Sequence, residues 1–255
     1  MRIFKNIRQK LAAENKVMAY LRYAVGEILL VVIGILIALQ VNNWNEGRKL
    51  NNERKVLINS LISDFKETRT RIATKEVENA EAIKRTSRFL SLSYTNNEKV
   101  SIDSLQHFLS GAFTYPFFVP TLTSYDQAVA TGKIGLIKDK EFLSHISEFL
   151  TGYNFYKQQK DISGQIFYLG SIWEVRKEVG NLVSLAGKDR SWNGSRKIFP
   201  QAFKFSDKEY RAFIKRPEVF AAIDNMQTIF YNVQDSFKDM DKAAQSIIIE
   251  LEQLK

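Results

Sequence analysis

Cysteine is absent from this chain, histidine occurs twice, and proline (4) and glycine (12) are scarce for 255 residues. Without cysteine there is no disulfide framework, no thiolate metal ligand and no thiol nucleophile. The absence leaves the compartment open, since a long helical domain needs no such cross-links. His107 and His145 have no companion at metal-ligand spacing. That removes a histidine-rich zinc site and argues against a Ser-His-Asp triad. A di-metal carboxylate bundle needs Glu-x-x-His motifs, and none is present. Gly132-x-x-Gly135 and Ala186-Gly-Lys188 lack the other residues of a phosphate loop. No cofactor, metal or catalytic residue is therefore expected, and the chain reads as non-enzymatic.

So few chain breakers favour long helices over a turn-rich β architecture. Charged residues make up 25% and hydrophobic ones 45%, the balance of an ordinary folded domain. The net charge of +9 is unevenly placed. Arg2, Lys5, Arg8, Lys10, Lys16 and Arg22 face only Glu14 and Glu27 in residues 1–45. The body is only mildly basic, so the charge alone does not argue for nucleic acid, and no nucleic-acid partner is expected.

The strongest local signal is the uncharged run Ile28-Leu-Leu-Val-Val-Ile-Gly-Ile-Leu-Ile-Ala-Leu39. Crossing a hydrocarbon core takes about 20 helical residues. Tyr23–Gly26 upstream, interrupted by Glu27, and Gln40–Asn43 downstream extend the run, and residues 23–43 read as a transmembrane helix. Tyr20, Tyr23 and Trp44 stand at its ends, where amphipathic aromatics anchor at the interfaces. Glu27 has two readings. It lies near the headgroups, offset by Arg22 or Lys16, or it is an intramembrane carboxyl that pairs with a partner helix or serves a proton path. A cleaved signal peptide would end in small residues. Here the run ends in Ala-Leu-Gln-Val-Asn-Asn-Trp, so an uncleaved signal anchor is favoured, with a buried core helix as the remaining alternative. The basic N-terminus predicts a cytoplasmic start. In a bacterium that places residues 1–22 as a cytoplasmic amphipathic segment, the span in the inner membrane, and residues 44–255 in the periplasm.

Residues 7–49 carry a resemblance. Ile7-Arg-Gln-Lys-Leu11, Glu14-Asn-Lys16, Tyr20-Leu-Arg-Tyr-Ala24, Gly26-Glu27, Val31-Val-Ile-Gly-Ile-Leu-Ile-Ala-Leu-Gln40 and Asn42-Asn-Trp-Asn-Glu46 are the residues concerned. Thr123-Ser-Tyr-Asp126 leading to Gly132-Lys-Ile-Gly-Leu-Ile137 adds a weaker likeness. Together these resemble an uncharacterised family of small single-span bacterial envelope proteins, found mainly in Bacteroidetes. The resemblance implies a membrane protein with an extra-cytoplasmic helical domain and implies no activity.

Beyond the span the period is helical. Leu57, Leu61, Phe65, Ile72, Ile83 and Leu90 share a face, and no Pro or Gly occurs between Arg48 and Ser110. One helix is predicted to about Leu92, broken by Asn96-Asn97. A short helix over 102–110 follows, with Ser101 as N-cap. Thr114–Pro120 holds two prolines and cannot be helical throughout. A short helix over 124–130 ends at Gly132, a good C′ residue. Asp139 opens a helical run to about Val183, with one stripe at Phe142, Ile146, Phe149, Tyr153 and Tyr156. A shifted stripe follows at Ile162, Ile166, Leu169, Trp173 and Val179. Residues 184–205 read as a loop. Ser206-x-x-Glu209 looks like a capping box, and Pro217 suits the first turn of the last helix. There Ile223, Met226, Phe230, Val233, Phe237, Met240, Ala244, Ile247, Leu251 and Leu254 keep heptad spacing, the pattern of coiled-coil-like packing. The predicted fold class is all-α: one N-terminal transmembrane helix, then an elongated antiparallel helical bundle.

Two stretches are candidate binding surfaces. The basic and aromatic loop with Arg190, Trp192, Arg196, Lys197 and Phe199 suits an anionic envelope polymer or lipid, or simply packs on the bundle end. Tyr115, Phe117 and Phe118 line a pocket or partner interface, or form a wedge that closes the core. Carboxylates such as Glu174/Glu178 and Glu76/Glu81 read as solvated faces with i,i+4 pairing. The expected role is a membrane-anchored interaction or scaffold protein whose partners are the bilayer and a protein, another copy included. The alternative is a ligand-sensing bundle that signals through a partner.

Overall fold

In the computed structural model, residues 17–95, 98–179 and 205–255 are described. They form helices joined by turns and one extended strap, and no strand occurs among the described residues. The elements are α1 (Val17–Tyr94), α2 (Ile102–Leu109), a 3-10 turn (Ser110–Phe113), α3 (Thr123–Ala130), a second 3-10 turn (Lys133–Leu136), α4 (Lys140–Tyr168), α5 (Ser171–Val179), α6 (Asp207–Phe213) and α7 (Pro217–Gln253). The chain divides into two compact units, Met1–Val56 and Leu57–Lys255.

In the first unit the described residues lie on α1. This is the one helix, among those described, long and apolar enough to cross a membrane. Its large apolar side chains from Ile28 to Leu39 are exposed.

The second unit has one continuous core. Its seam on α1 runs Phe65, Thr68, Ile72, Asn79, Ala82, Thr86, Phe89, Ser93, all buried. Four of these are polar, and each is satisfied. Thr68 exchanges two hydrogen bonds with the Thr121 backbone (2.9 and 3.1 Å). Asn79 Nδ2 donates to the Phe230 carbonyl and to Gln234 Oε1, both at 2.8 Å. Thr86 Oγ1 donates to Ala82 O at 2.9 Å and accepts from Gln227 Nε2 at 3.1 Å. Ser93 donates to Phe89 O. Polar residues at seam positions fix helix register at some cost in stability.

On α7 the heptad residues from Ile223 to Leu251 are buried and Leu254 is half-buried, as their spacing predicts. Pro217 opens this helix. Ser206 and Glu209 form the expected capping box on α6. Ser101 caps α2 through the Ser104 amide. Asp139 caps α4 through the Phe142 amide. Gly132 adopts φ +72°, the left-handed conformation that a C′ residue needs. α3 has no side-chain cap of its own; instead Asp64 of α1 accepts from the Ser124 amide at 2.7 Å. Gly111 lies where a Cβ would meet Arg85 Cβ at 2.7 Å and Ala82 O at 3.1 Å, so the first 3-10 turn packs backbone to backbone on α1.

Two expectations need correction. The run from Asp139 is not one helix: α4 ends at Tyr168, and α5 restarts at Ser171. Gly170 at the break is a poor helix former, and a Cβ there would meet Ile166 Cα at 3.0 Å. Nor is the shifted stripe buried as a whole: Val179 is buried and Ile166 packs half-buried on the core, but Ile162, Leu169 and Trp173 are exposed, and α4 also buries Gln159, Ser163 and Phe167. The predicted break at Asn96-Asn97 lies outside the described residues, just beyond the end of α1.

Candidate functional site

Arg190, Trp192, Arg196, Lys197 and Phe199 lie outside the described residues. On α1, Glu27 is half-buried and Trp44 is exposed, with the Arg48 guanidinium 5.6 Å from its ring centre. His145 Nδ1 lies 3.3 Å from Glu148 Oε2. Among the described residues no three His, Asp or Glu side chains gather as a metal site. Glu81 pairs with Arg85 one turn on (3.0 Å), which holds its carboxyl below the usual range. Glu178 reaches Arg216 at 2.6 Å and Glu174 reaches Lys177 at 2.6 Å.

Tyr115, Phe117 and Phe118 do not line a common pocket. Residues 116–120 alternate strictly: Pro116, Phe118 and Pro120 are buried, Phe117 and Val119 exposed. That alternation is the period of an extended chain. Phe118 enters the core against Tyr153, Tyr156 and Phe237, with ring centres 5.4–6.4 Å apart. Tyr156 donates to the Pro116 carbonyl at 3.3 Å, and burial pushes its phenol well above the usual range. Tyr115 lies over Gly164 of α4, where a Cβ would meet its hydroxyl at 3.3 Å. The strap is a wedge that closes the core, and Phe117 is its exposed member.

A groove of about 440 Å³ is lined by Lys66, Arg69, Thr70, Ala73, Glu76 and Asp241. Arg69 and Asp241 pair with each other, while Lys66 and Glu76 find partners beyond the lining. Arg69 grips Asp241 through two bonds of 2.7 and 3.0 Å, which raises the guanidinium pKa. Lys66 meets Glu252 at 2.9 Å. Glu76 accepts from Gln234 at 3.5 Å. Partial burial, and next the charge of Asp241, push the Glu76 carboxyl up, while Lys238 pulls it down. Ala73 is the one apolar residue among the described lining residues, and the Arg69–Asp241 pair takes up two of the four charges, so the groove does not resemble a typical ligand site.

The outer face of α4 is different. Phe155, Ile162 and Leu169 are 43%, 44% and 82% exposed and recur every seven residues. Thr151, Gln158 and Gln165, all exposed, fall between them at the complementary heptad positions. Every Lys, Asp and Glu of α4 within residues 151–169 (Lys157, Lys160 and Asp161) falls elsewhere on the wheel. The inner face carries the polarity instead. Gln159 accepts from Asn232 Nδ2 at 3.0 Å, and Ser163 Oγ is buried with no hydrogen-bond partner. From Phe155 on, α4 hides Gln159, Ser163 and Phe167 and shows Phe155, Ile162 and Leu169, so apolar side chains lie on both of its faces. The sequence carried the signal, since Ile162 and Leu169 stand out as a stripe. What it lacked was the direction in which that stripe points.

No curated protein and no solved structure matches the chain. The sequence profile of a family of unknown function (DUF6090) matches residues 27–183. That stretch holds the apolar run of α1, the strap and all of α4. It is more than half of the chain, so this protein belongs to the DUF6090 family of unknown function.

Proposed function

We propose that this protein is a non-enzymatic interaction protein, anchored by one membrane span and presenting the α4 stripe to a protein partner. The stripe is the observation that carries the reading. The anchor is supported by the run Ile28–Leu39, whose exposed apolar side chains are costly in water and favourable in lipid. The basic residues before the span favour a cytoplasmic N-terminus, with the body in the periplasm of a bacterial cell. The body is an antiparallel bundle with coiled-coil-like packing. In support, Lys66, Arg69, Asn79 and Thr86 meet Glu252, Asp241, Gln234 and Gln227, in falling order along α7. Gly152, Tyr156 and Gln159 likewise approach Met240, Phe237 and Asn232. The heptad seam of α7 thus serves two neighbours at once.

The alternative is a ligand-sensing bundle, and the groove beside Glu76 is its best support. The pairing of Arg69 with Asp241 inside the groove weighs against it. The test is cross-linking in intact membranes, then purification through a C-terminal tag and mass spectrometry. A protein cross-linked through α4 is expected. Loss of all adducts, with metabolites stabilising the purified protein in a thermal-shift screen, would move the assignment to the sensing reading.

A further inference from the structure

We infer that the occupant of the α4 stripe is a second copy of this chain, packed side by side about a twofold axis along the helix. The inference rests on the interaction reading above and names its partner. Three observations carry it.

The first is charge. Between Thr151 and Leu169 the stripe has no charged residue, and two copies can meet there without a like-charge pair. The second is the seam itself. Phe155, Ile162 and Leu169 take one core position of a two-stranded heptad pattern, and Thr151, Gln158 and Gln165 take the other. Under a twofold axis each residue meets its own mate. A glutamine amide holds both a donor and an acceptor, so Gln158 and Gln165 satisfy their own symmetry copies. Their side chains have no hydrogen-bond partner among the described residues. A different protein would have to supply polar groups at the same two levels.

The third is size. From Thr151 to Leu169 the seam is roughly 28 Å long. One helical seam of that length covers less than the roughly 800 Å² per partner of a standard interface. Such a contact is weak between free molecules. Two copies held in one bilayer meet at high effective concentration, and a short seam then suffices.

The absence of cysteine makes the test clean. The full chain is made with single replacements Ile162→Cys, Leu169→Cys or Lys157→Cys, in the membranes that produce it. Each is oxidised with copper–phenanthroline. Ile162→Cys and Leu169→Cys are expected to give a species of twice the chain mass, at least five-fold more than Lys157→Cys on the far side of the helix. Adding Gln158→Glu to Ile162→Cys places two like charges on the axis and lowers that yield several-fold. Equal yields at all three positions, or no doubled species, would overturn the inference. A cysteine-directed bifunctional cross-linker separates the two failures. An adduct with another protein at Ile162→Cys keeps the interaction reading and removes the second copy. No adduct of any kind removes both. Circular dichroism of each variant confirms that the helices are intact.

Discussion

α7 and the second half of α4 are both long, heptad-patterned and in contact, yet they handle their apolar residues in opposite ways. α7 turns Ile223, Met226, Phe230, Val233, Phe237 and Met240 inward. α4 does the same as far as Tyr156, then turns Phe155, Ile162 and Leu169 outward while Gln159 and Ser163 go in. The same spacing therefore means core in one helix and outer surface in the other. Heptad spacing declares that residues share a face. It does not declare what that face meets. α7 lies between two helices of its own chain and satisfies its pattern internally. α4 packs on α7, α1 and the strap along one face, and its second stripe is exposed.

That contrast can be broken by substitution. The largest effect is expected in the α7 seam. Phe230 is fully buried, and Phe230→Ala should cost about 3–5 kcal/mol, read as a lower urea midpoint for the full chain in detergent. Next comes the polar level of the α1 seam. Asn79→Ala removes two bonds and leaves Gln234 Oε1 without its donor, which should cost about 1–3 kcal/mol. Ile162→Ser on the outer stripe should change stability by no more than about 0.5 kcal/mol, yet abolish the doubled species. A loss comparable to that of Phe230→Ala would mean that the stripe belongs to the internal core.

The smallest effect concerns Glu76. Burial raises its carboxyl pKa in the folded state, so the charged form disfavours folding. That penalty is present above the raised folded pKa and vanishes as pH falls below the usual carboxylate value of about 4.3. Glu76→Gln should therefore raise Tm by a degree or so at pH 7 and leave it unchanged near pH 3.5. An equal gain at both pH values would point to packing rather than charge.

Most element starts and stops were legible because they rest on local chemistry. Ser101, Asp139, Ser206 with Glu209, Gly132 and Pro217 all act where their side chains or backbone preferences demand. The α7 seam was legible because fifteen buried positions in one helix leave a strong period. The strap was legible as non-helical, but its wedge was not. Only the meeting of Phe118 with Tyr153, Tyr156 and Phe237 decides which aromatic enters. The Asp64 cap on α3 was invisible, since sixty residues separate the donor from the acceptor. The candidate site fell between these cases. Ile162 and Leu169 were visible as a stripe, Phe155 was not singled out, and the stripe's solvent-facing side needed the neighbours.

By itself, then, the sequence determined that the chain is helical, that residues 28–39 form an uncharged apolar run, and where most helices begin. These follow from period, propensity and capping, which act within a few residues. Tertiary structure alone decided which of two stripes on α4 is core and which is surface. A helix presents both stripes equally, and the positions of α7 beside Gln159 and Gly152, of Phe65 beside Phe149 and of Phe118 beside Tyr156 shield one of them from solvent.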